Sequence, residues 1–439
     1  MKEKNIKEKT QQKKKMGLTT KIFVALIAGA ILGIILCYLV PDSSFKKDVI
    51  VEGILYVIGQ GFIRLMKMLV VPLVFCSLVC GSMSIGDTKK LGTVGVRTLV
   101  FYLATTALAV SVALTVGNLI NPGVGLDMSS IQSSASSVET MEATSLTDTI
   151  LNIIPDNPIN SLASGTMLQV IVFALIVGVI LAKMGERAET VANFFSQFND
   201  IMMEMTMMIM ALAPIGVFCL ITPVVAENGS AVLGSLAMVL LAAYICYVIH
   251  MAVVYSLSVR TLAKISPIAF FKGMAPAMAM AFSSASSVGT LPLNMECTEK
   301  LGAKRDIASF VLPLGATINM DGTAIYQGVC SVFIASCFGI DLTLTQMVTI
   351  VLTATLASIG TAGVPGSGMI MLAMVLQSVG LPVEGIALVA GVDRIFDMGR
   401  TTVNITGDAA CTLAVSRMEE RKEQRKLRKQ NASAGSSAE

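Results

Sequence analysis

The chain has 439 residues, of which 54% are hydrophobic and only 14% are charged, and its formal net charge is +3. A soluble domain of this length needs more polar surface, so these values exclude an ordinary soluble fold. Apolar runs of about 20 residues recur along the chain and predict an all-α membrane protein with many spans. Alternating segments of about ten residues, which are typical of a membrane β-barrel, are absent.

Basic residues at both ends of the chain predict cytoplasmic tails at 1–18 and 418–439. Between them, 19–417 is predicted to be the membrane domain. Its first six spans are predicted at about 19–41, 54–83, 94–121, 162–182, 198–226 and 231–259. The loop 122–160 holds acidic residues but no Lys or Arg, whereas basic residues follow spans two, four and six. This bias places both termini in the cytoplasm.

After the sixth span, small and polar residues interrupt the apolar pattern. Segments 268–298 and 347–380 are broken by SSASSVGTLP and ASIGTAGVPGSG. Backbone groups left unpaired by such clusters are tolerated at membrane depth only inside protein or beside a cavity. Each segment is therefore predicted to be a re-entrant helical hairpin. Between the two hairpins, a crossing at 306–335 is broken at GATINMDGTA, residues 315–324.

The order hairpin, broken helix, hairpin and charged helix indicates an internal repeat. Pro292 precedes Asp321 by 29 positions, and Pro365 precedes Asp393 by 28. Near-equal spacing predicts an inverted repeat with a transport site near the bilayer midplane. The predicted architecture is eight transmembrane helices plus two re-entrant helical hairpins.

A polar stripe lies in the last apolar segment, about 386–415. Its members are three or four residues apart and so share one helix face. They are Asp393, Asp397, Arg400, Thr401, Asn404 and Asp408. One charge at the centre of a membrane helix costs roughly 2.5–3.5 kcal/mol, so the four charges facing lipid would cost on the order of 10 kcal/mol. The stripe is therefore predicted to face protein, water or ligand.

Structural interpretations of these residues stay open beside the functional one. Asp393 could pair with Arg394 or with a hydroxyl, and Asp397 with Arg400 could form an i,i+3 ion pair that neutralises a buried helix. The serine run 283–287 could serve close helix packing. The only histidine, His250, is predicted to be a satisfied core residue rather than a proton relay.

Four motifs in this order give the chain a family resemblance. They are SSASSVGTLP, NMDGT at 319–323, SIGTAGVPGSG at 358–368 and DMGRTTVNITGD at 397–408. From about residue 19 to 417 the chain resembles the dicarboxylate/amino acid:cation symporters, the glutamate transporter family. The resemblance implies a homotrimer with an elevator fold. Its fixed scaffold would be about 19–83 and 162–226, and its moving transport part about 94–121, 231–259 and 267–417.

The resemblance also implies a substrate site. Arg400 would hold the side-chain carboxylate of the substrate, for which its planar guanidinium is suited, and Asp397 would bind the ammonium. The rest of the implied substrate set is Ser286, Ser287, Thr323, Val364, Gly368, Thr401 and Asn404. Many prokaryotic relatives carry an arginine near the first hairpin tip, where this chain has Ala285; Arg394 is a candidate to supply that charge.

Three sodium sites are implied in the same way, since hard cations prefer oxygen ligands and unwound backbone supplies them. The first set is Gly315, Asn319, Asn404 and Asp408. The second is Thr317, Ser358, Ile359 and Thr361. The third is Tyr102, Thr105, Thr106, Asn319 and Asp321.

Charge supports cation coupling independently of the resemblance. The middle of the broken helix and the charged helix together carry four aspartates and two arginines, Arg394 and Arg400. The net charge of these groups is −2. An acidic amino acid adds one more negative charge, so loading at low dielectric needs about three monovalent cations.

Together these features predict a secondary active symporter, not an enzyme, that couples sodium influx to uptake of glutamate or aspartate across the cell membrane. The co-transported sodium ions are the only cofactor expected, and no nucleic-acid partner is expected. A C4-dicarboxylate symporter, a proton-coupled symporter of the same family, and a gated anion channel remain alternatives.

Overall fold

The computed structural model describes residues 18–41, 43–86, 93–123, 151, 154–229, 231–359 and 367–436. Over these ranges the regular secondary structure is entirely helical, which confirms the all-α prediction. The basic N-terminal tail, most of the acidic loop and the tip of the second predicted hairpin lie outside the described residues.

The first part of the described chain consists mostly of long apolar helices. They are α1 (Leu18–Tyr38), α2 (Tyr56–Gly86), α3 (Thr93–Ile120), α4 (Pro158–Ser164), α5 (Met167–Met184), α6 (Glu189–Ala211) and α7 (Ala213–Asn228). A π-helical stretch, Phe45–Leu55, runs directly into α2. The single span expected at 198–226 is divided between α6 and α7, because Pro214 in the first turn of α7 has no N–H to continue the preceding helix.

The second part is built from shorter helices and one long one. They are α8 (Ala231–Ile249), α9 (Pro267–Ser284), α10 (Ser287–Lys300), α11 (Arg305–Ile318), α12 (Asp321–Cys337), α13 (Leu344–Ala357), α14 (Ser367–Ser378), α15 (Ile386–Ala390) and α16 (Asp393–Ser436). After α8, the π-helical stretches His250–Tyr255 and Val259–Ala263 flank three α-helical residues and carry the helix on to residue 263.

Five helical stretches in the described chain are long and apolar enough to cross a membrane. They are Thr20–Tyr38, Phe45–Met83, Thr93–Ile120, Met167–Ala211 and Val232–Ala263. At 1.5 Å per residue, a hydrocarbon core of about 30 Å needs about 20 residues, and each stretch has 19 or more. The chain is therefore a multi-pass membrane protein.

Helices α9 and α10 pack against each other and are joined by a turn of two residues. Ala285 closes α9 with a φ of 50°, and the Ser286 side chain then caps α10 by accepting from the N–H of Gly289 at 3.1 Å. Helices α13 and α14 also pack together, and Thr343 with Gln346 forms a capping box at the start of α13.

Packing divides the helices into two groups. In the first group, α2 packs against α5, α6 and α7, and α7 also packs on α1. In the second group, α12 and α16 form the centre and contact α3, α8 and the elements after residue 267. Every residue of α12 except Ser336 is buried, so this helix is almost wholly enclosed.

Helix α16 is mostly buried up to Ser416 and more exposed from Arg417 to Gln424. Its residues from Asp393 to Ser416 are mostly buried, whereas the part after Ser416, predicted only as a tail, continues as helix to Ser436. Two ion pairs hold this extension, Arg97 with Glu419 at 2.6 Å and Lys304 with Glu423 at 2.6 Å. The hydrogen bond that Lys304 donates to the Glu423 carboxylate raises the pKa of Lys304.

Candidate functional site

The polar stripe of α16 faces the interior of the protein. All six members are less than 9% exposed, and Asp408 is only 1% exposed. Because lone buried charges are strongly unfavourable, each needs a partner inside the protein. The structure supplies such partners around two centres, one at Arg400 and one at the break between α11 and α12.

At the first centre, Arg400 joins two carboxylates of its own helix. Its Nε donates to Asp397 Oδ1 at 2.8 Å and its Nη1 to Asp393 Oδ1 at 3.2 Å. The guanidinium also lies 5.1 Å from the ring centroid of Tyr326. Its third nitrogen, Nη2, is buried and has no hydrogen-bond partner among the described residues. One donor of the guanidinium is thus free to bind an anionic group.

The neighbouring arginine has different partners from those considered in the sequence. Arg394 does not pair with Asp393, since adjacent helix residues point in different directions. Its Nη1 lies 3.5 Å from Asp397 Oδ2, and its Nη2 donates to the carbonyl of Ser284 at 3.0 Å. Asp397 therefore lies between two guanidinium groups, and the turn after α9 is tied to α16.

Two glycines let backbone approach Arg400. A Cβ at Gly368, at the start of α14, would overlap the guanidinium, and a Cβ at Gly322, at the start of α12, would overlap the Arg400 backbone. The starts of α12 and α14 therefore both lie against the middle of α16. Gly368, one member of the implied substrate set, thus lies beside Arg400.

The second centre is the break between α11 and α12, which contains only Asn319 and Met320. Asn319 Nδ2 donates to the Asn404 carbonyl at 2.8 Å and to Asp408 Oδ1 at 2.9 Å. The side chain of Asn404 also binds the start of α12, since its Oδ1 accepts from the N–H of Gly322 at 2.8 Å. The break is thus held against α16 by side-chain amides, which replace the backbone bonds that an unbroken helix would make.

These bonds bring the first expected cation set together. Gly315 lies under Asp408, where a Cβ would overlap the Asp408 carboxylate and meet the Tyr102 hydroxyl. Asn319 Oδ1 is buried without a hydrogen-bond partner among the described residues. Unpaired oxygens beside a buried carboxylate are the chemistry that a monovalent hard cation prefers.

Part of the third expected set meets at Asp321, which is fully buried. Thr106 donates to Asp321 Oδ1 at 2.6 Å, and Tyr255 donates to Oδ2 at 2.7 Å. His250 Nε2 lies 3.2 Å from the same Oδ2. Tyr102 and Thr105 bond elsewhere in the described chain: the Tyr102 hydroxyl donates to the Val311 carbonyl at 3.4 Å, and the Thr105 hydroxyl donates to the Tyr102 carbonyl.

The second expected set is only partly described. Ser358 and Ile359 are buried at the end of α13, and the Ser358 hydroxyl donates to the Thr355 carbonyl at 2.7 Å. Thr317 is exposed on α11 and donates to the Leu314 carbonyl at 3.0 Å. Thr361 lies outside the described residues, as does Val364 of the expected substrate set.

Four other members of the expected substrate set are described: Ser286 in the turn before α10, Ser287 on α10, Thr323 on α12 and Thr401 on α16. Ser287 is buried in the first turn of α10, after Ser286, whose hydroxyl is used as the helix cap. Thr323 on α12 and Thr401 on α16 are both 5% exposed. Among the residues that the structure describes, the Thr323 hydroxyl makes one hydrogen bond, a long one to the Met320 sulfur at 3.7 Å.

Three residues at these centres were outside the sets expected from the sequence. Tyr326 lies under Arg400, and Tyr255 and His250 bond Asp321. A polar group in the middle of an otherwise apolar span was the available signal for His250. Its Nε2 lies 3.2 Å from Asp321 Oδ2, whereas its Nδ1 is buried without a hydrogen-bond partner among the described residues. No periodic pattern pointed to either tyrosine, because both also suit a packed core.

The protein is an all-helical membrane protein in which buried ion pairs, a broken helix and two glycine-bearing helix starts surround one charged stripe. This construction is typical of a secondary transporter. Comparison with known proteins agrees: residues 18–418 match the model of the Sodium:dicarboxylate symporter family. The chain belongs to this family, whose members are transporters and not enzymes.

Similar proteins include both amino-acid and dicarboxylate transporters. The chain is 37% identical over 411 residues to the proton/sodium-glutamate symport protein of Bacillus caldotenax, covering 92% of this chain and 95% of that protein. It is 36% identical over 420 residues to the proton/glutamate-aspartate symporter of Escherichia coli (strain K12), covering 94% and 95%. It is 32% identical over 406 residues to the C4-dicarboxylate transport protein of Bacillus subtilis (strain 168), covering 92% and 93%.

Proposed function

We propose that this symporter couples the inward movement of sodium ions to the uptake of glutamate or aspartate. The observation that carries the proposal is the environment of Arg400, a buried guanidinium with one unpaired nitrogen beside the carboxylate of Asp397. A carboxylate of the substrate would bind the free guanidinium donor, and its ammonium would bind Asp397. An acidic amino acid offers a side-chain carboxylate, an ammonium and an α-carboxylate, whereas a neutral amino acid lacks the first group and a C4-dicarboxylate lacks the second.

Cation coupling follows from the charges around the site. Asp393 and Asp397 are balanced by Arg394 and Arg400. Asp408 accepts instead from the amide of Asn319, and Asp321 accepts from two hydroxyls and lies beside His250 Nε2. These two carboxylates would hold sodium ions, with Asn319 Oδ1 and the backbone carbonyls of the broken helix as further ligands. Cations there offset the negative charge that the substrate brings into a low-dielectric site.

The two packing groups support an elevator arrangement. The first group would be the scaffold, 19–83 and 162–226, and the second the moving transport part, 94–121, 231–259 and 267–417. In this proposal eight helices cross the membrane, α9–α10 and α13–α14 are the re-entrant hairpins, both termini are cytoplasmic, and three scaffolds associate as a trimer. Native mass spectrometry of the protein in detergent would count the chains.

A C4-dicarboxylate symporter is the second candidate, favoured by one observation: Arg394 brings a second cation to Asp397. A dicarboxylate has no ammonium to bind Asp397, and the extra guanidinium would help to hold its second carboxylate.

Uptake into proteoliposomes separates these candidates. Labelled aspartate, glutamate, succinate and serine are supplied with an inward sodium gradient, with equal sodium on both sides, or with choline. We expect accumulation of aspartate and glutamate above equilibrium only with the gradient. Uptake of serine without aspartate, or uptake of succinate alone, would reject the acidic amino acid. Indifference to sodium with dependence on external acid would reject sodium coupling, and flux without accumulation would indicate a channel.

A further inference from the structure

We propose that Arg394 is a selectivity residue, which sets the preference between an acidic amino acid and an unsubstituted C4-dicarboxylate. The inference rests on the proposed function and names a role for a residue outside the expected substrate set. The structure supplies three observations for it: the partner of each Arg394 nitrogen, the way the Asp397 carboxylate is shared, and the unequal burial of the two arginines.

Arg394 connects two parts of the site. Its Nη2 donates to the Ser284 carbonyl at 3.0 Å, in the last turn of α9, where a cation is favourable because the carbonyls there lack helical partners. The next residues, Ala285 and Ser286, form the turn into α10. Arg394 therefore fixes the hairpin tip, and with it Ser287, relative to the middle of α16.

The same side chain competes for Asp397. Arg400 occupies Oδ1 of that carboxylate at 2.8 Å, and Arg394 Nη1 lies 3.5 Å from Oδ2. A substrate ammonium that binds Asp397 must approach Oδ2, where it meets the like charge of Arg394. A substrate with a second carboxylate and no ammonium meets attraction from Arg394 instead. The charge of Arg394 thus weakens binding of the amino acid and strengthens binding of the dicarboxylate.

Burial indicates which of the two arginines can adjust. The Arg400 side chain is 3% exposed and is held by two carboxylates, whereas the Arg394 side chain is 18% exposed and has the longer bond to Asp397. Arg394 is thus the cation that can turn from Asp397 toward a ligand while Arg400 stays fixed.

The test uses purified full-length protein in saturating sodium and measures the dissociation constants of aspartate and succinate by equilibrium binding and competition. Arg394→Gln keeps a donor for the Ser284 carbonyl but removes the charge, Arg394→Met removes both, and Arg394→Lys keeps the charge. Arg417→Met is the matched control, since Arg417 also forms an i,i+3 pair, with Glu420, on the exposed part of α16.

We expect the ratio of the succinate constant to the aspartate constant to rise about tenfold in the Gln and Met variants, as loss of one charge-assisted contact predicts. Aspartate binding in Arg394→Gln should strengthen or stay within about twofold of wild type, because the like charge near Asp397 Oδ2 is removed, and the Lys variant and the control should keep the wild-type ratio. A purely structural role would weaken both substrates equally.

An unchanged ratio in Arg394→Gln would overturn the inference, as would a loss of aspartate affinity of about tenfold in that variant. Wild-type protein that binds aspartate but resists competition by about a hundredfold excess of succinate would also overturn it. Wild-type protein that binds neither compound would instead reject the proposed function. The two failures are therefore distinguishable.

Discussion

Gly368 lies so close to Arg400 that the guanidinium occupies the space a Cβ at position 368 would need. The side chain of Arg400 is pinned on its other side by Asp393 and Asp397 and cannot move away freely. The guanidinium can occupy this position only because residue 368 is a glycine. The start of α14 therefore contacts the charged group at the centre of α16.

Gly368→Ala should displace the Arg400 guanidinium and weaken binding of aspartate by about tenfold or more, while the protein still folds. The measurement is equilibrium binding of labelled aspartate to purified protein, with thermal unfolding followed in parallel. Gly61→Ala is the control, because a Cβ at Gly61 meets nothing within 4 Å. Wild-type affinity in Gly368→Ala would contradict the close approach.

Asn319→Ala should raise the sodium concentration needed for half-maximal aspartate binding. Its amide holds the Asn404 carbonyl and Asp408 Oδ1 together, and a hydrogen bond to a charged group is worth about 1.5–3 kcal/mol, or roughly a tenfold change or more. Asn294→Ala is the matched control, since Asn294 is equally buried and donates only to the Ile405 carbonyl of α16. An identical sodium dependence in both variants would remove Asn319 from the cation site.

The main residues of both centres could be predicted from the sequence. Asp393, Asp397, Arg400 and Asp408 follow from helical spacing within an apolar segment, because charges spaced in this way share one face that must be kept out of lipid. The break at Asn319 follows from Asn, Asp and Gly in mid-span. Both inferences use neighbours in the chain, and so need no knowledge of the tertiary packing.

The partners of these residues could not be predicted in the same way. Tyr255 and His250 are 66 and 71 positions from Asp321, and they meet it only after α8 and its π-helical continuation pack beside α12. Arg394 reaches the Ser284 carbonyl across 110 positions. Hydrophobic periodicity shows which face of a helix is buried but not which other helix covers it. It also cannot separate a π-helical turn from an α-helical one.

Tyr255→Phe should weaken sodium binding by about threefold to tenfold. The variant keeps the ring but loses the hydroxyl that donates to Asp321 Oδ2 and lies 3.2 Å from the Val403 carbonyl, so the carboxylate is less firmly oriented. Titration of sodium against aspartate binding measures the effect. Tyr244→Phe is the comparison, because the Tyr244 hydroxyl donates to the Ile395 carbonyl and not to a carboxylate. Equal behaviour of the two variants would contradict the role of Asp321.

Lys67 on α2 pairs with Glu384, just before α15, at 2.7 Å. These residues belong to the proposed scaffold and the proposed moving part, so the pair must break whenever the two parts separate. Because the side chains are 35% and 17% exposed, the pair contributes at most about 1 kcal/mol, or about a fivefold change in rate. Lys67→Met and Glu384→Gln should each speed aspartate exchange by up to about fivefold without changing its affinity.

The double variant tests whether the two residues act through each other. Lys67→Met with Glu384→Gln should be no faster than either single variant, because the interaction is already lost in each. Exchange rates in proteoliposomes measure this cycle, and Lys300→Met, which breaks the exposed pair with Glu296, serves as a control. Additive effects would show that Lys67 and Glu384 are not coupled.

The proposed function depends above all on Arg400 binding the acidic side chain of the substrate, and replacing this residue is the sharpest test of it. Binding of labelled aspartate and serine is measured in saturating sodium for wild-type protein and for Arg400→Cys. We predict that the variant loses aspartate binding by at least about a hundredfold, since a buried charge-assisted contact is removed, while binding of the neutral amino acid is retained or gained. Undiminished aspartate binding in Arg400→Cys would contradict the proposed role of this guanidinium.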